Sequence, residues 1–232
     1  MTEAANHKAS LKTYFDGPGF ERWSAIYGDA PVSRVRRAVR EGHASMLAMA
    51  EHWLAEALDT AHAQRPTVLD AGCGTGLLSI ALAQRGFAVT AIDIAPQMVA
   101  AAEQKALSSG AHPNIRFRAT DLESIDWRFD AVACLDVLVH YPLPSFASAC
   151  AHLAGCSNGS FVFTYAPHSP LLAALHWVGG RFPRSERRTE IRMIREREVR
   201  AALAGAGMRI RRSARVGRGV YHVQLVEAVG AS

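Results

Sequence analysis

The segment that most restricts the fold is Thr67-Val68-Leu69-Asp70-Ala71-Gly72-Cys73-Gly74-Thr75-Gly76, followed at once by the apolar run from Leu77. A short β-branched stretch ends on an acid, a turn places glycine at alternate positions, and a helix opens. Glycines at such a turn let the backbone take conformations closed to other residues and approach a ligand closely. The N–H groups that open the following helix can receive an anionic or polar ligand group. The spacing is GxGxG rather than the GxGxxG of dinucleotide-binding turns, which disfavours a nicotinamide oxidoreductase.

Downstream of this turn, strands alternate with helices. Strands are predicted at Phe87–Ile92, Ile115–Ala119, Phe129–Leu135 and Ser160–Tyr165, with helices at Leu77–Gln84, Ala95–Ser108 and near Ser145–Leu153. That alternation implies an α/β fold with a doubly wound, parallel sheet and helices on both faces. A helix at Glu196–Ala204 precedes two last strands, Met208–Val216 and Val220–Val229, joined by Gly217-Arg218-Gly219. The expected sheet therefore has seven strands and closes with an antiparallel hairpin. Residues 1–64 read as a polar helical arm or lid, with one or two amphipathic helices between Val32 and Thr60. Residues 65–232 read as the ligand-binding domain, interrupted after the fifth strand by a cap insertion at 167–195.

At 232 residues, with 49% apolar and 20% charged residues, the chain can bury a core without disulfide or metal staples. Its four cysteines form no CxxC pair and no zinc spacing, so a reduced, cytoplasmic protein without a metal site is the expectation. Met1–Lys12 is polar and offers no secretory h-region, and no apolar run reaches the ~20 residues of a membrane span. The net charge of +5 is uneven: Arg181–Arg218 carries thirteen arginines against four glutamates. Such a stretch is either a solvated face or a patch for an anionic partner, substrate or membrane surface. No aromatic interleaving accompanies it, so nucleic acid is not an expected partner.

Two further strand ends carry chemistry. Asp93 closes the second strand, where a carboxylate can accept both hydroxyls of a ribose. Thr120-Asp121-Leu122 follows the third, within reach of an adenine amino group. Three sites at successive strand ends converge on one crevice, as in open α/β sheets.

On the motifs VLDAGCGTG and AIDIAPQMV, residues 66–229 resemble the class I S-adenosylmethionine-dependent methyltransferases. The resemblance implies that Gly72, Gly74 and Gly76 line the methionine and ribose part of S-adenosylmethionine. Asp70 would orient the loop and meet the cofactor amine, and Asp93 would hold the ribose diol. Ile94 and Met98 would pack on adenine, Asp121 and Leu122 would read its edge, and Asp136 would pass beside the cofactor. Met98 reads equally well as plain helix core, and Cys73 as a loop filler rather than a nucleophile.

Four more segments narrow the resemblance: the arm from Lys12 to Asp29, Val35–His43, Leu135-Asp-Val-Leu-Val-His-Tyr-Pro, and Phe163-Thr-Tyr-Ala-Pro with the later Phe182-Pro-Arg-Ser. Together they resemble the magnesium protoporphyrin IX O-methyltransferase family of bacteriochlorophyll biosynthesis. The resemblance implies methyl transfer to a propionate carboxylate of a magnesium porphyrin, with magnesium present only within that substrate. It also implies the porphyrin-binding subunit of magnesium chelatase as a partner and peripheral contact with the photosynthetic membrane. Arm aromatics (Tyr14, Phe15, Phe20, Trp23, Tyr27) and the cap segment Leu171–Val178 suit the walls of a slot for the macrocycle, although for most of the aromatics simple packing of the arm onto the core is the preferred reading. His140, at the reaction end, would hydrogen-bond the propionate, act as acid or base, sit near the magnesium, or merely cap a strand exit. The Tyr27 hydroxyl would position the acceptor, or Tyr27 would merely pack the turn before Gly28. Arg40 would reach the methionine carboxylate, with Arg34, Arg36 and Arg37 competing for that role. Two rival readings are a methyltransferase for a phenol or quinone precursor and a non-enzymatic adapter docking through the arginine-rich stretch.

Overall fold

The computed structural model describes residues 3–27, 33–59, 65–168 and 191–231. Three helices come first: α1 (Glu3–Phe15), α2 (Pro18–Tyr27) and α3 (Arg34–Asp59). The α/β part follows as β1 (Thr67–Ala71), α4 (Leu77–Gln84), β2 (Ala88–Asp93), α5 (Pro96–Ser108), β3 (Ile115–Ala119), β4 (Phe129–Cys134), α6 (Leu143–Gly155) and β5 (Ser157–Pro167). The described chain ends with β6 (Met193–Ile194), α7 (Glu196–Gly205), β7 (Met208–Arg218) and β8 (Tyr221–Gly230). The sheet order is β3-β2-β1-β4-β5-β8-β7, with the two-residue β6 pairing onto β5. Strands β1 to β5 pair in parallel, whereas β8 runs antiparallel to both β5 and β7. This is the expected seven-strand sheet with its closing hairpin, extended by one short strand.

Local sequence accounts for the layout. β1, β4 and the Ser160–Ala166 stretch of β5 are nearly continuous buried runs, and they sit in the sheet centre with both faces covered. β3 and β7 alternate arginine with apolar residues and lie at the two edges. Charged side chains there discourage further strand pairing. α3 forms one continuous helix because Val39, Met46, Ala50, Trp53, Leu54 and Leu58 recur at helical spacing and bury against the sheet. One apolar cluster joins α3 and α4 to one sheet face, and a second joins α6 and α7 to the other.

Several boundaries differ from the sequence reading. β5 starts at Ser157 and ends at Pro167 rather than spanning 160–165, because β4 extends its ladder at the start, through Ser157, and β6 at the end, through Ala166 and Pro167. α6 gains a turn's worth of residues, opening behind Pro142. Most of the expected cap, 169–190, lies outside the described residues, as does the wall expected at Leu171–Val178.

Candidate active site

The crevice opens at the carboxyl ends of β1, β2 and β4. Gly72 leaves β1 at φ +82°, and a Cβ there would collide with the Val137 side chain. The loop is pinned to the neighbouring strand, since Gly72 N–H and Cys73 N–H both donate to the Ile92 carbonyl at 2.8 Å. Asp70 lies beneath it, fully buried, with Ser79 Oγ donating to Oδ2 at 2.5 Å. Burial pushes the Asp70 carboxyl up to about 6; the Ser79 bond opposes this and the nearby Asp93 charge adds to it. Burial also raises Asp93, although its Oδ2 accepts Gly74 N–H at 3.0 Å and its Oδ1 accepts Ala95 N–H at 2.9 Å. Each oxygen keeps a lone pair for a ligand hydroxyl. The Cys73 thiol is pushed far up by burial and is inert as a nucleophile.

Asp70, Gly72, Gly74, Asp93, Ile94, Met98, Asp121, Leu122, Asp136 and His140 line this single crevice. At Asp121, α1 brings Lys8 Nζ within 3.0 Å of Oδ2 and into an ion pair with Glu123. Leu138–His140 forms a 3₁₀ turn after β4 and buries His140. The His140 carbonyl meets His7 Nε2 at 2.9 Å, and the Phe15 ring contacts its imidazole edge-on at 5.5 Å between centroids.

Two expected site residues lie outside the crevice lining. Gly76 does not line the crevice: it opens α4 at φ +79°, and a Cβ there would lie 2.8 Å from the Ala102 Cβ, so it serves helix packing. Arg40 does not line the crevice either; its Nε donates to the Ile26 carbonyl and ties α3 to α2. The Tyr27 side chain lies outside the described residues. Of the other arm aromatics, Phe15 and Trp23 reach the crevice, whereas Tyr14 packs edge-on against Phe15 at 5.1 Å.

The sequence reading missed Lys8, Leu11, His43, Leu47 and Val137 as lining residues. For His43 a signal existed: it follows Gly42 and lies one turn before Leu47, at the border of the apolar stripe of α3, where a polar side chain is unexpected. Burial lowers the His43 pKa, against the raising effect of Asp136, whose Oδ2 lies 3.7 Å from Nε2.

A glycine cradle, an acid closing β2, an apolar slot with an acid at its end and a hairpin-closed parallel sheet together define a class I S-adenosylmethionine-dependent methyltransferase. A general "Methyltransferase domain" family model matches residues 68–158, and the model "Magnesium-protoporphyrin IX methyltransferase C-terminus" matches 134–230. The chain is 36% identical to a magnesium-protoporphyrin O-methyltransferase of Synechocystis over 99% of both chains. It is 38% identical to the chloroplastic magnesium protoporphyrin IX methyltransferase of Arabidopsis thaliana, over 96% of this chain and 71% of that one. The crystal structure of the Synechocystis enzyme with bound S-adenosylhomocysteine superposes with a TM-score of 0.86 at 35% identity, covering 96% of this chain and 99% of that one. The chain belongs to the magnesium-protoporphyrin IX methyltransferase family.

Proposed function

We propose that this protein transfers a methyl group from S-adenosylmethionine to a propionate carboxylate of magnesium protoporphyrin IX, giving the monomethyl ester. The observation that carries this reading is full-length similarity to named relatives, joined to a crevice whose residues suit the cofactor. When bound, S-adenosylmethionine supplies an electrophilic methyl on a sulfonium.

The residues of the chain then have three tasks. Gly72, Gly74, Asp70 and Asp93 hold the amino acid and ribose part, and Ile94, Met98 and Leu122 take the adenine face. Asp121 reads the adenine edge, and Asp136 borders the methionine end. His140 orients the acceptor carboxylate, and Tyr27 is proposed to share that task. No base is required, because a propionate has a pKa near that of Glu, about 4.3, and is ionised at neutral pH. A carboxylate oxygen forms the bond to carbon while the C–S pair returns to sulfur. Anion and sulfonium thus become a neutral ester and a neutral thioether. Loss of both charges is favoured where water is excluded, and Leu11, Phe15, Trp23 and Leu47 line this crevice with apolar surface.

The proposal extends to a cytoplasmic location with peripheral membrane contact, and to the porphyrin-binding subunit of magnesium chelatase as donor of the acceptor. Exposed Arg209 and Arg215 on edge strand β7 suit an anionic surface. No helix among the described residues is long and apolar enough to cross a membrane.

The deciding experiment mixes purified protein with methyl-labelled S-adenosylmethionine and magnesium protoporphyrin IX. Label in a porphyrin monomethyl ester, with stoichiometric S-adenosylhomocysteine, is expected. Cofactor binding without ester formation would turn the search to phenolic acceptors, and absent cofactor binding would favour the adapter reading.

A further inference from the structure

Asp136 is the non-glycine residue at positive φ (56°) among the described residues, placed directly after β4 where the crevice begins. Left-handed backbone is costly for a residue with a Cβ and persists where surroundings over-determine it. Three hydrogen bonds do so. Asp136 N–H donates to Thr164 Oγ1 at 2.7 Å, Thr164 Oγ1 donates back to Oδ1 at 3.0 Å, and the Tyr221 hydroxyl donates to Oδ2 at 2.8 Å. Thr164 belongs to β5 and Tyr221 opens β8, so neighbouring strands grip one turn from two sides.

We propose that Tyr221 is a positioning residue for methyl transfer: its hydroxyl, with Thr164, clasps Asp136 and thereby sets the turn that carries Val137 and His140. The inference rests on the methyltransferase reading above. Tyr221 does not line the crevice and acts through Asp136. Its ring is seated where α3 has Gly42; a Cβ there would lie 2.6 Å from the ring Cδ1. The seat aims the hydroxyl at the carboxylate. Beyond Asp136, Val137 packs over Gly72 so closely that no side chain fits there. His140 N–H donates to the Val137 carbonyl at 3.1 Å. The clasp therefore links the closing hairpin to the glycine loop and to the imidazole at the reaction end. In-line transfer between two held groups is sensitive to displacements of an ångström or less, so a relaxed Asp136 turn would slow the chemistry without emptying the cofactor site.

Tyr221→Phe tests this, because it keeps the ring in its seat and removes one hydroxyl. Turnover with magnesium protoporphyrin is expected to fall about tenfold or more, with the KM for S-adenosylmethionine changed less than about twofold. Amide exchange across residues 136–141 in the S-adenosylhomocysteine complex should quicken, while circular dichroism stays that of the parent. Parental turnover together with parental exchange would overturn the proposal. So would a general collapse in which melting temperature, KM and turnover all fail together, since that marks a core residue only. If the parent protein itself makes no porphyrin ester, the acceptor reading fails. The exchange comparison then still decides whether the clasp holds the turn.

Discussion

Asp70 sets stability against function. Its carboxyl is raised from the usual range near 3.9 to about 6 by burial. A folded-state pKa above the unfolded one means that the folded state holds its proton more tightly. The contribution is therefore full below about pH 4 and is lost as pH rises through about 6. Asp70→Asn, which keeps an acceptor for Ser79, should gain stability over the parent at pH 7 by on the order of 2–3 kcal/mol. The gain should vanish at pH 4, while S-adenosylhomocysteine affinity falls; thermal melts at the two pH values check it. His43 acts in the opposite sense. Its lowered pKa leaves its contribution intact above about 6.5 and erodes it as pH falls below that. Asp93 carries both the loop, through Gly74 and Ala95, and the expected ribose contact. Asp93→Ala should cost on the order of 1.5–3 kcal/mol of S-adenosylhomocysteine binding by calorimetry. Unchanged affinity in a folded variant would remove Asp93 from the site. At His140 an already ionised acceptor predicts orientation rather than proton removal. His140→Gln should keep measurable turnover, and His140→Ala should lose considerably more. Equal loss in both, with cofactor still bound, would point to a proton-transfer role and a hydroxyl acceptor.

Among the elements, α1 has little apolar anchorage and is tied down largely by polar contacts. Leu11 is buried and Phe15 partly so, while Lys8, His7 and Asp16 reach Asp121, the His140 carbonyl and Gln97 N–H respectively. An element held by few apolar contacts opens at low free energy and is suited to cover an entrance. Exchange across residues 3–16 should slow when S-adenosylhomocysteine is added. Lys8→Ala should raise the ligand's dissociation rate by a few-fold, because a half-exposed ion pair contributes about 1 kcal/mol or less. Stopped-flow release that is identical in the two proteins would show that α1 does not gate the adenine end.

Across the molecule, α3 is the strut between the N-terminal helices and the closing hairpin. Arg212 on β7 joins Glu56 of α3 at 2.8 Å to the buried Glu227 of β8 at 2.5 Å, and Ser160 of β5 donates to the same carboxylate at 2.6 Å. Its guanidinium also lies over the Trp53 ring, 4.7 Å from the centroid. Gly42 is the tightest point of that packing. Alanine there gains about 1 kcal/mol of helix propensity but meets the Tyr221 ring, and overpacking costs about 1–3 kcal/mol. Gly42→Ala should therefore lower the melting temperature by a few degrees and slow turnover with it. A more stable variant would show that the hairpin yields freely.

The order of residues suffices for the parallel sheet, the glycine turn and the carboxylates at the ends of β1 and β2, because each is written within a window of ten residues. Helix α4 and strand β3 fall where periodicity places them, and Asp70, Gly72, Gly74 and Asp93 meet in one crevice as strand topology requires. Contacts between segments far apart in the chain were not legible. The close approach of Ala102 of α5 to Gly76, and the bond from Arg40 Nε to the Ile26 carbonyl, could not be read from the sequence. Lys8 meets Asp121 across 113 positions, and Tyr221 meets Asp136 across 85. No local propensity encodes such pairs. They exist because packing α1 and α3 onto the sheet and closing it with β8 spends chain entropy once, for the whole fold, and brings remote polar groups within bonding distance.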